Sequence, residues 1–333
     1  MKNILIIQTA SLGDVILSTP VVEKLHHFYP DAGIDFLLKS GYQEIFRHHP
    51  FLHRVLAWDK SDKKYGHLRE LIKFVRQNKY DLVINLQRFA SSGLITALSG
   101  APVRIGFKKN PLSLFFTQRV AHKIGKSNSG PHETERNLKL IERLTDHSSF
   151  PVKIYPSQHD YAKVSQYKTR QYITVAPGSL WFTKQYPEEK WVEFVGSLEK
   201  DIVVYFLGSP NELNLCERII GESGHANNLN LAGKLSFLES AALMRDALMN
   251  YVNDSAPMHL ASAVNAPVAA IYCSTVPGFG FGPLSEKRFI IQAADPPTCK
   301  PCGLHGYNKC PKKHFECAYN INNEQLLKIL NDN

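Results

Sequence analysis

The chain has 333 residues, a length that at roughly 150 residues per domain fits about two domains, each able to bury a core. Hydrophobic residues make up 44% and charged residues 21%, with 20 Gly and 19 Pro, which excludes a disordered chain, a collagen-like repeat and low-complexity sequence. Lys and Arg exceed Asp and Glu by 39 − 30 = 9, a surplus that favours anionic partners without choosing among nucleotides, phosphorylated lipids and nucleic acid.

Short apolar runs predict strands at 3–8, 34–38, 54–58 and 81–86, and helical spacing predicts helices at 14–28, 42–48, 62–78 and 91–98. A further helix is expected at 132–144. The segment 145–170 is polar, carries Pro151 and Pro156 and has no sustained periodicity, so it reads as a linker. The theme then restarts, with strands at 172–176, 202–207, 229–231, 251–253 and 268–271 and helices at 188–198, 212–221, 237–248 and 257–264. Strands alternating with helices predict parallel sheets covered on both faces. The fold class is therefore α/β, two Rossmann-like, doubly wound domains in tandem, 1–160 and 171–320, facing across a cleft. A C-terminal helix at 321–333 is placed to pack back on the first domain.

No apolar run approaches the roughly 18–20 residues of a membrane span. The run at 4–7 is stopped by Gln8, Thr9 and Asp14 before it reaches signal-peptide length. A cytoplasmic location is expected, and with it reduced thiols or metal ligands in place of a disulfide framework.

Three strand-to-helix turns hold residues that fit chemistry. The first, Gln8-Thr9-Ala10-Ser11-Leu12-Gly13-Asp14, lacks the G-x-G-x-x-G pattern of a dinucleotide site. Asp14 fits a helix cap, and it also fits a carboxylate at a strand's end able to take a proton from a hydroxyl. The second, Ala176 to Pro187, combines Gly178, Ser179, Thr183 and Lys184; it reads equally as an anion-binding loop or as a surface loop with a solvated lysine. The third, Asn253-Asp254-Ser255-Ala256-Pro257-Met258-His259, opens a helix whose first N–H groups could receive a diphosphate, while by itself His259 reads as a helix-face histidine.

Together these segments resemble glycosyltransferase family 9, the ADP-heptose lipopolysaccharide heptosyltransferases of GT-B fold. The resemblance rests on Ser11-Leu12-Gly13-Asp14 with Pro20, Tyr80 to Gln87, Arg104-Ile105-Gly106-Phe107 and His132 to Asn137. In the second half it rests on Pro177-Gly178-Ser179 with Lys184, Leu207-Gly208-Ser209 with Glu212, Leu231-Ala232-Gly233, and Asp254-Ser255 with His259-Leu260-Ala261. It implies an inverting transfer of a heptose or related sugar from an ADP-sugar to a hydroxyl of the lipopolysaccharide inner core, with Asp14 as general base and no cofactor required. Lys184, Ser179, Thr183 and Ser255 would stabilise the leaving diphosphate, and Glu212 would hold the ribose. Met244, Asp254 and His259 complete the donor set, with Ser11, Gly13, Arg88, Arg104 and Lys108, beside Lys109, on the acceptor. A basic face would also give peripheral contact with the anionic inner membrane. No nucleic-acid-reading motif is present. The alternatives are a GT-B transferase using a UDP- or GDP-sugar for another glycan and a non-catalytic nucleotide-binding protein. Two departures from the family pattern stand out: Ala256-Pro257 follows Ser255, which removes one N–H donor, and Gln185-Tyr186-Pro187 stands where a basic residue and Trp are common.

Cys299-x2-Cys302-x7-Cys310-x6-Cys317 forms a four-cysteine group near the C-terminus. Such a group fits a structural zinc site, reduced thiols or a disulfide, and the C-x2-C element is a frequent half of a zinc site.

Overall fold

The computed structural model describes residues 1–61, 64–125 and 130–332. Asp62 and Lys63, where one predicted helix was to begin, lie outside them. The chain divides into two compact units, Met1–Ile124 with Pro131–Tyr155, and Gly125–Gly130 with Pro156–Asn333.

The first unit is built on β1 (Asn3–Ile7), β2 (Gly33–Lys39), β3 (Leu52–Trp58), β4 (Leu82–Asn85), β5 (Val103–Phe107) and β6 (Gln118–Val120), with helices α1 (Leu12–Ile16), α2 (Thr19–Phe28), α3 (Lys64–Gln77), α4 (Ala90–Leu98) and α5 (Glu133–Leu138). All its strands pair in parallel, in the order β3-β2-β1-β4-β5-β6. β1 and β4 are apolar almost throughout because both faces of the sheet are covered; Leu5, Ile7, Val83 and Ile95 meet in one core. The single helix predicted over 14–28 is two helices. Pro20 at the start of α2 has no N–H to continue α1, and Ser18 and Thr19 turn their hydroxyls onto the carbonyls of Val15 and Ile16.

The second unit repeats the plan with α6 (Gln158–Val164), β7 (Tyr172–Ala176), α7 (Glu188–Gly196), β8 (Val203–Phe206), α8 (Leu213–Ser223), β9 (Asn228–Asn230), α9 (Phe237–Arg245), β10 (Asn250–Asn253), α10 (Ala256–Ala263), β11 (Val268–Ile271), β12 (Arg288–Ile291), α11 (Glu316–Tyr319) and α12 (Glu324–Asn331). Its parallel order is β12-β11-β10-β7-β8-β9. Both sheets thus reverse strand order once, between β1 and β4 and between β7 and β10, and ligands of such sheets bind outside the carboxyl ends of the strands at that switch point.

Two segments take places that periodicity does not reveal. Part of the segment read as a linker is α6, capped by Ser157 and tied to α9 by a Lys163–Glu239 ion pair of 2.7 Å; its apolar stripe is too short to show as a period. The C-terminal helix, expected against the first domain, is built into the second unit: Leu326 is buried in that unit's core and its carbonyl accepts from the Tyr251 hydroxyl at 2.8 Å.

Candidate active site

At the first switch point, β1 ends in the turn that carries Asp14. Ser11 caps α1 and Asp14 is the third residue of a capping box, its Oδ2 accepting from the Ser11 N–H at 3.1 Å and the Ser11 hydroxyl at 2.5 Å. Oδ1 has no bond among the described residues, and the side chain is half-buried. The capping bonds of Asp14 therefore occupy one oxygen and leave the other open. Across the switch point, the Thr9 hydroxyl donates to Gln87 Oε1 at 2.7 Å, and Lys60 donates to the Thr9 carbonyl at 2.7 Å. Gln87 Nε2 is buried without a partner, leaving a donor at the end of β4.

A buried charged group lies behind this turn. Glu133 accepts from Arg136 Nε at 2.7 Å, Arg136 Nη1 donates to the Pro131 carbonyl at 2.6 Å, and His122 Nε2 stands 3.9 Å from the same carboxylate. Burial pushes the Glu133 carboxyl above its ordinary range; Arg136 pulls it back and the Asp14 charge adds to the rise. Burial together with Arg88, Arg136 and Lys109 brings His122 down to about 4, so it is neutral near pH 7. In the sequence alone Glu133 and Arg136, three apart, look like an ordinary surface pair.

The expected acceptor residues divide. Ser11, Arg88 and Lys108 stand in turns at the carboxyl ends of β1, β4 and β5, and Gly13 in the first turn of α1. Arg104 does not. It sits near the start of β5, where its guanidinium is held by the Ala101 carbonyl and, at 3.0 Å, by the Phe115 carbonyl.

At the second switch point, Lys184 Nζ lies 2.7 Å from Asp254 Oδ2, with side-chain exposures of 15% and 7%, and the Thr275 hydroxyl donates to the same oxygen at 2.6 Å. The ion pair joins the turn after β7 to the turn after β10. Asn253 fastens the two turns further: its Nδ2 donates to the Pro177 carbonyl at 2.7 Å and its Oδ1 accepts from Tyr186 N–H at 3.0 Å. An Asn at a strand's end, one residue before Asp254, was the signal for this clamp in the sequence. Glu212 reaches in from the end of β8. A Cβ at Gly178 would come within 1.6 Å of its Oε1 and one at Gly208 within 2.9 Å of its Oε2, so these glycines are there to admit a carboxylate, not to free N–H groups. Glu212 Oε2 accepts from the Ser209 N–H at 2.6 Å. Ser179 and Ser255 are half-buried on the same turns, and His259 is buried on α10.

Two expected donor residues are reassigned. The Thr183 hydroxyl is buried and accepts from Tyr307 N–H at 2.8 Å and from the Ser274 hydroxyl at 3.0 Å, which pins the cysteine-rich loop to the Lys184 turn. Met244 has no exposed surface; helical periodicity directs it into the core.

Cys299, Cys302, Cys310 and Cys317 are not arranged as a tetrathiolate site among the described residues. All the cysteines are free thiols, and among the described residues no group of three or more His, Cys, Asp or Glu side chains is arranged to hold a metal ion. Cys317 is buried in the second core and burial pushes its thiol up to about 12; Cys302, its thiol 3.3 Å from the Cys299 carbonyl, is also pushed up by burial.

The sequence profile of glycosyltransferase family 9 (heptosyltransferase) matches residues 68–306. The chain belongs to this family. As a family-9 member it is a glycosyltransferase, and its two switch-point turns are the transferase's candidate active-site elements. The transferase is 28% identical over 328 residues to lipopolysaccharide heptosyltransferase 3 of Escherichia coli (strain K12), covering 91% of this chain and 88% of that one. Its fold matches the structure of E. coli ADP-heptose lps heptosyltransferase II with a TM-score of 0.81 at 22% identity, over 100% of this chain and 98% of the other. It also matches E. coli heptosyltransferase WaaC with ADP-2-deoxy-2-fluoro heptose, with a TM-score of 0.70 at 21% identity, over 98% and 99% of the two chains. No helix among the described residues is long and apolar enough to cross a membrane.

Proposed function

We propose that this transferase moves a heptose from an ADP-sugar to a hydroxyl of the lipopolysaccharide inner core with inversion at the anomeric carbon. The observation that carries the reading is the Lys184–Asp254 pair, which holds a half-buried cation across the second switch point, where a nucleotide-sugar diphosphate would lie. The solved relative bound to an ADP-heptose analogue supports the donor, and the names of the curated relatives support the acceptor. In this reading Asp14 Oδ1 takes the proton of the acceptor hydroxyl as its oxygen bonds to the anomeric carbon and the bond to the diphosphate oxygen breaks. Lys184 and the first N–H groups of α10, with Ser179 and Ser255, offset the negative charge that develops on the leaving group. Glu212, fixed by one oxygen, offers the other to the ribose hydroxyls. The acceptor lies on the first unit, where Arg88, Lys108 and Gln87 Nε2 offer donors. The net basic charge supports peripheral contact with the anionic inner face of the inner membrane.

Thermal shift with ADP-heptose, UDP-sugars and GDP-sugars, paired with the mass change of a core-lipid acceptor, tests the reading. Protection and a mass gain with ADP-heptose are expected. Protection by UDP- or GDP-sugars alone overturns the donor, and tight ADP-sugar binding with no transfer to any core lipid overturns the acceptor.

A further inference from the structure

Between Asp81 and Glu133 the sequence holds no acidic residue, whereas Arg88, Arg104, Lys108, Lys109, Arg119 and Lys123 all fall there. Much of the basic surplus is therefore gathered in one stretch, and that stretch contains the loop 108–117 that crosses from β5 to the edge strand β6. The loop is pinned from within. Asn110 Nδ2 donates to the carbonyls of Gln87 and Phe89 at 3.1 and 3.0 Å, and the Ser113 hydroxyl donates to the Lys108 carbonyl at 3.1 Å. The Phe116 ring is buried against Gly106, where an added Cβ would come within 2.5 Å of it.

Between these anchors Leu114 and Phe115 are held outward, 79% and 60% exposed, and Phe89, whose carbonyl Asn110 holds, is 60% exposed. Lys108, Lys109 and Arg119 are exposed on the same loop and strand. A fixed loop that holds neighbouring large apolar side chains in water, flanked by cations, is a candidate interaction surface. Two or three side chains are far less than the roughly 800 Å² per partner of a stable protein interface, but they suit shallow insertion at a lipid headgroup boundary, where aromatic rings partition and flanking cations meet lipid phosphates.

We infer that loop 108–117 is a membrane-docking element: Leu114 and Phe115 enter the headgroup region of an anionic bilayer while Lys108, Lys109 and Arg119 face lipid phosphates. The inference deepens the peripheral contact proposed above by naming the surface that makes it. It does not depend on the donor or the acceptor sugar.

The test is co-sedimentation of the full chain with vesicles of phosphatidylglycerol and phosphatidylethanolamine, or of phosphatidylcholine alone, free of any acceptor. Wild type should partition onto the anionic vesicles about tenfold more strongly, and less so as salt rises. The L114S/F115S variant should lose about tenfold of that partition with its melting temperature and donor-induced thermal shift kept, and K109E/R119E should lose the lipid-charge preference. A Phe115→Trp variant should show a blue-shifted emission change on anionic vesicles beyond that of wild type. Wild-type partition retained by L114S/F115S, with no Phe115→Trp response, overturns the loop's role while leaving peripheral contact through another surface. Equal wild-type binding to both vesicle types overturns the contact itself. A dimer in sedimentation velocity that L114S/F115S abolishes, without vesicle binding, overturns the inference in favour of self-association.

Discussion

After β1, Asp14 is held by hydrogen bonds from its own turn, with one oxygen left over and a like-charged carboxylate, Glu133, buried nearby. After β10, Asp254 is held by a cation from another turn, Lys184, and by Thr275. Both sheets have the same strand order, so topology alone gives each unit a helix start at a switch point. What differs is how charge is satisfied there. A carboxylate held on one oxygen by its own turn leaves its other oxygen open to a substrate hydroxyl. One paired to a lysine instead fixes where a positive charge stands. The first arrangement suits a base, the second a diphosphate.

The contrast can be broken most directly at Asp14. Asp14→Asn keeps the shape and a capping acceptor but removes the proposed base, so transfer should fall by roughly 10²–10⁴-fold while thermal protection by an ADP-sugar is kept. Transfer at the wild-type rate would erase the distinction between the two turns.

Lys184→Ala leaves Asp254 buried without its cation and should cost about 3 kcal/mol or more of stability in denaturant titration, along with donor binding. Because the loss reflects an uncompensated charge, Lys184→Ala combined with Asp254→Ala should be less destabilised than Lys184→Ala alone. Additive losses would show that the pair contributes nothing to holding the turn.

His122 sharpens the picture of the first unit. Its folded pKa of about 4 lies below the ordinary 6.5, so the unfolded chain takes up the proton first. The stability it contributes is full above pH 6.5 and is lost as pH falls through 4, to an extent of at most about 3 kcal/mol. His122→Gln should flatten the melting-temperature profile over that window, and an unchanged slope would place the acid sensitivity elsewhere.

The smallest effect is expected at Thr183, where Thr183→Val removes the acceptor of two hydrogen bonds. A loss of about 1–2 kcal/mol in stability and a modest weakening of the ADP-sugar thermal shift, with transfer retained at saturating donor, would fit a residue that positions Lys184 through the 183–307 contact. A complete loss of donor binding would return Thr183 to the donor site.

How far the molecule was legible in its sequence varied with element type. β1, β4, β7, β10 and β11 were legible because parallel strands covered on both faces must be continuous apolar runs. β5, β6 and β12 were not. β5 is interrupted by Arg104 and Gly106, β6 is three residues long, and β12 at the sheet edge has two exposed positions. Asp14, Lys184, Glu212 and Asp254 were legible as residues because each follows a predicted strand, and strand ends are where such folds expose functional side chains. Their partners were not, since periodicity carries no information on contacts between turns 70 residues apart in sequence, such as Lys184 with Asp254 at 254 − 184 = 70.

Local covalent pattern, then, fixed the alternation of strand and helix, the capping boxes and the family resemblance, because these depend on neighbours within one or two turns of chain. Tertiary structure alone decided that Gly178 and Gly208 admit Glu212, that Thr183 and Met244 face inward, that Arg104 is engaged by backbone carbonyls, and that Cys317 is buried in the second core. The physical reason is that a side chain's role depends on which groups lie within about 3 Å of it, and chain folding, not spacing in sequence, brings those groups together.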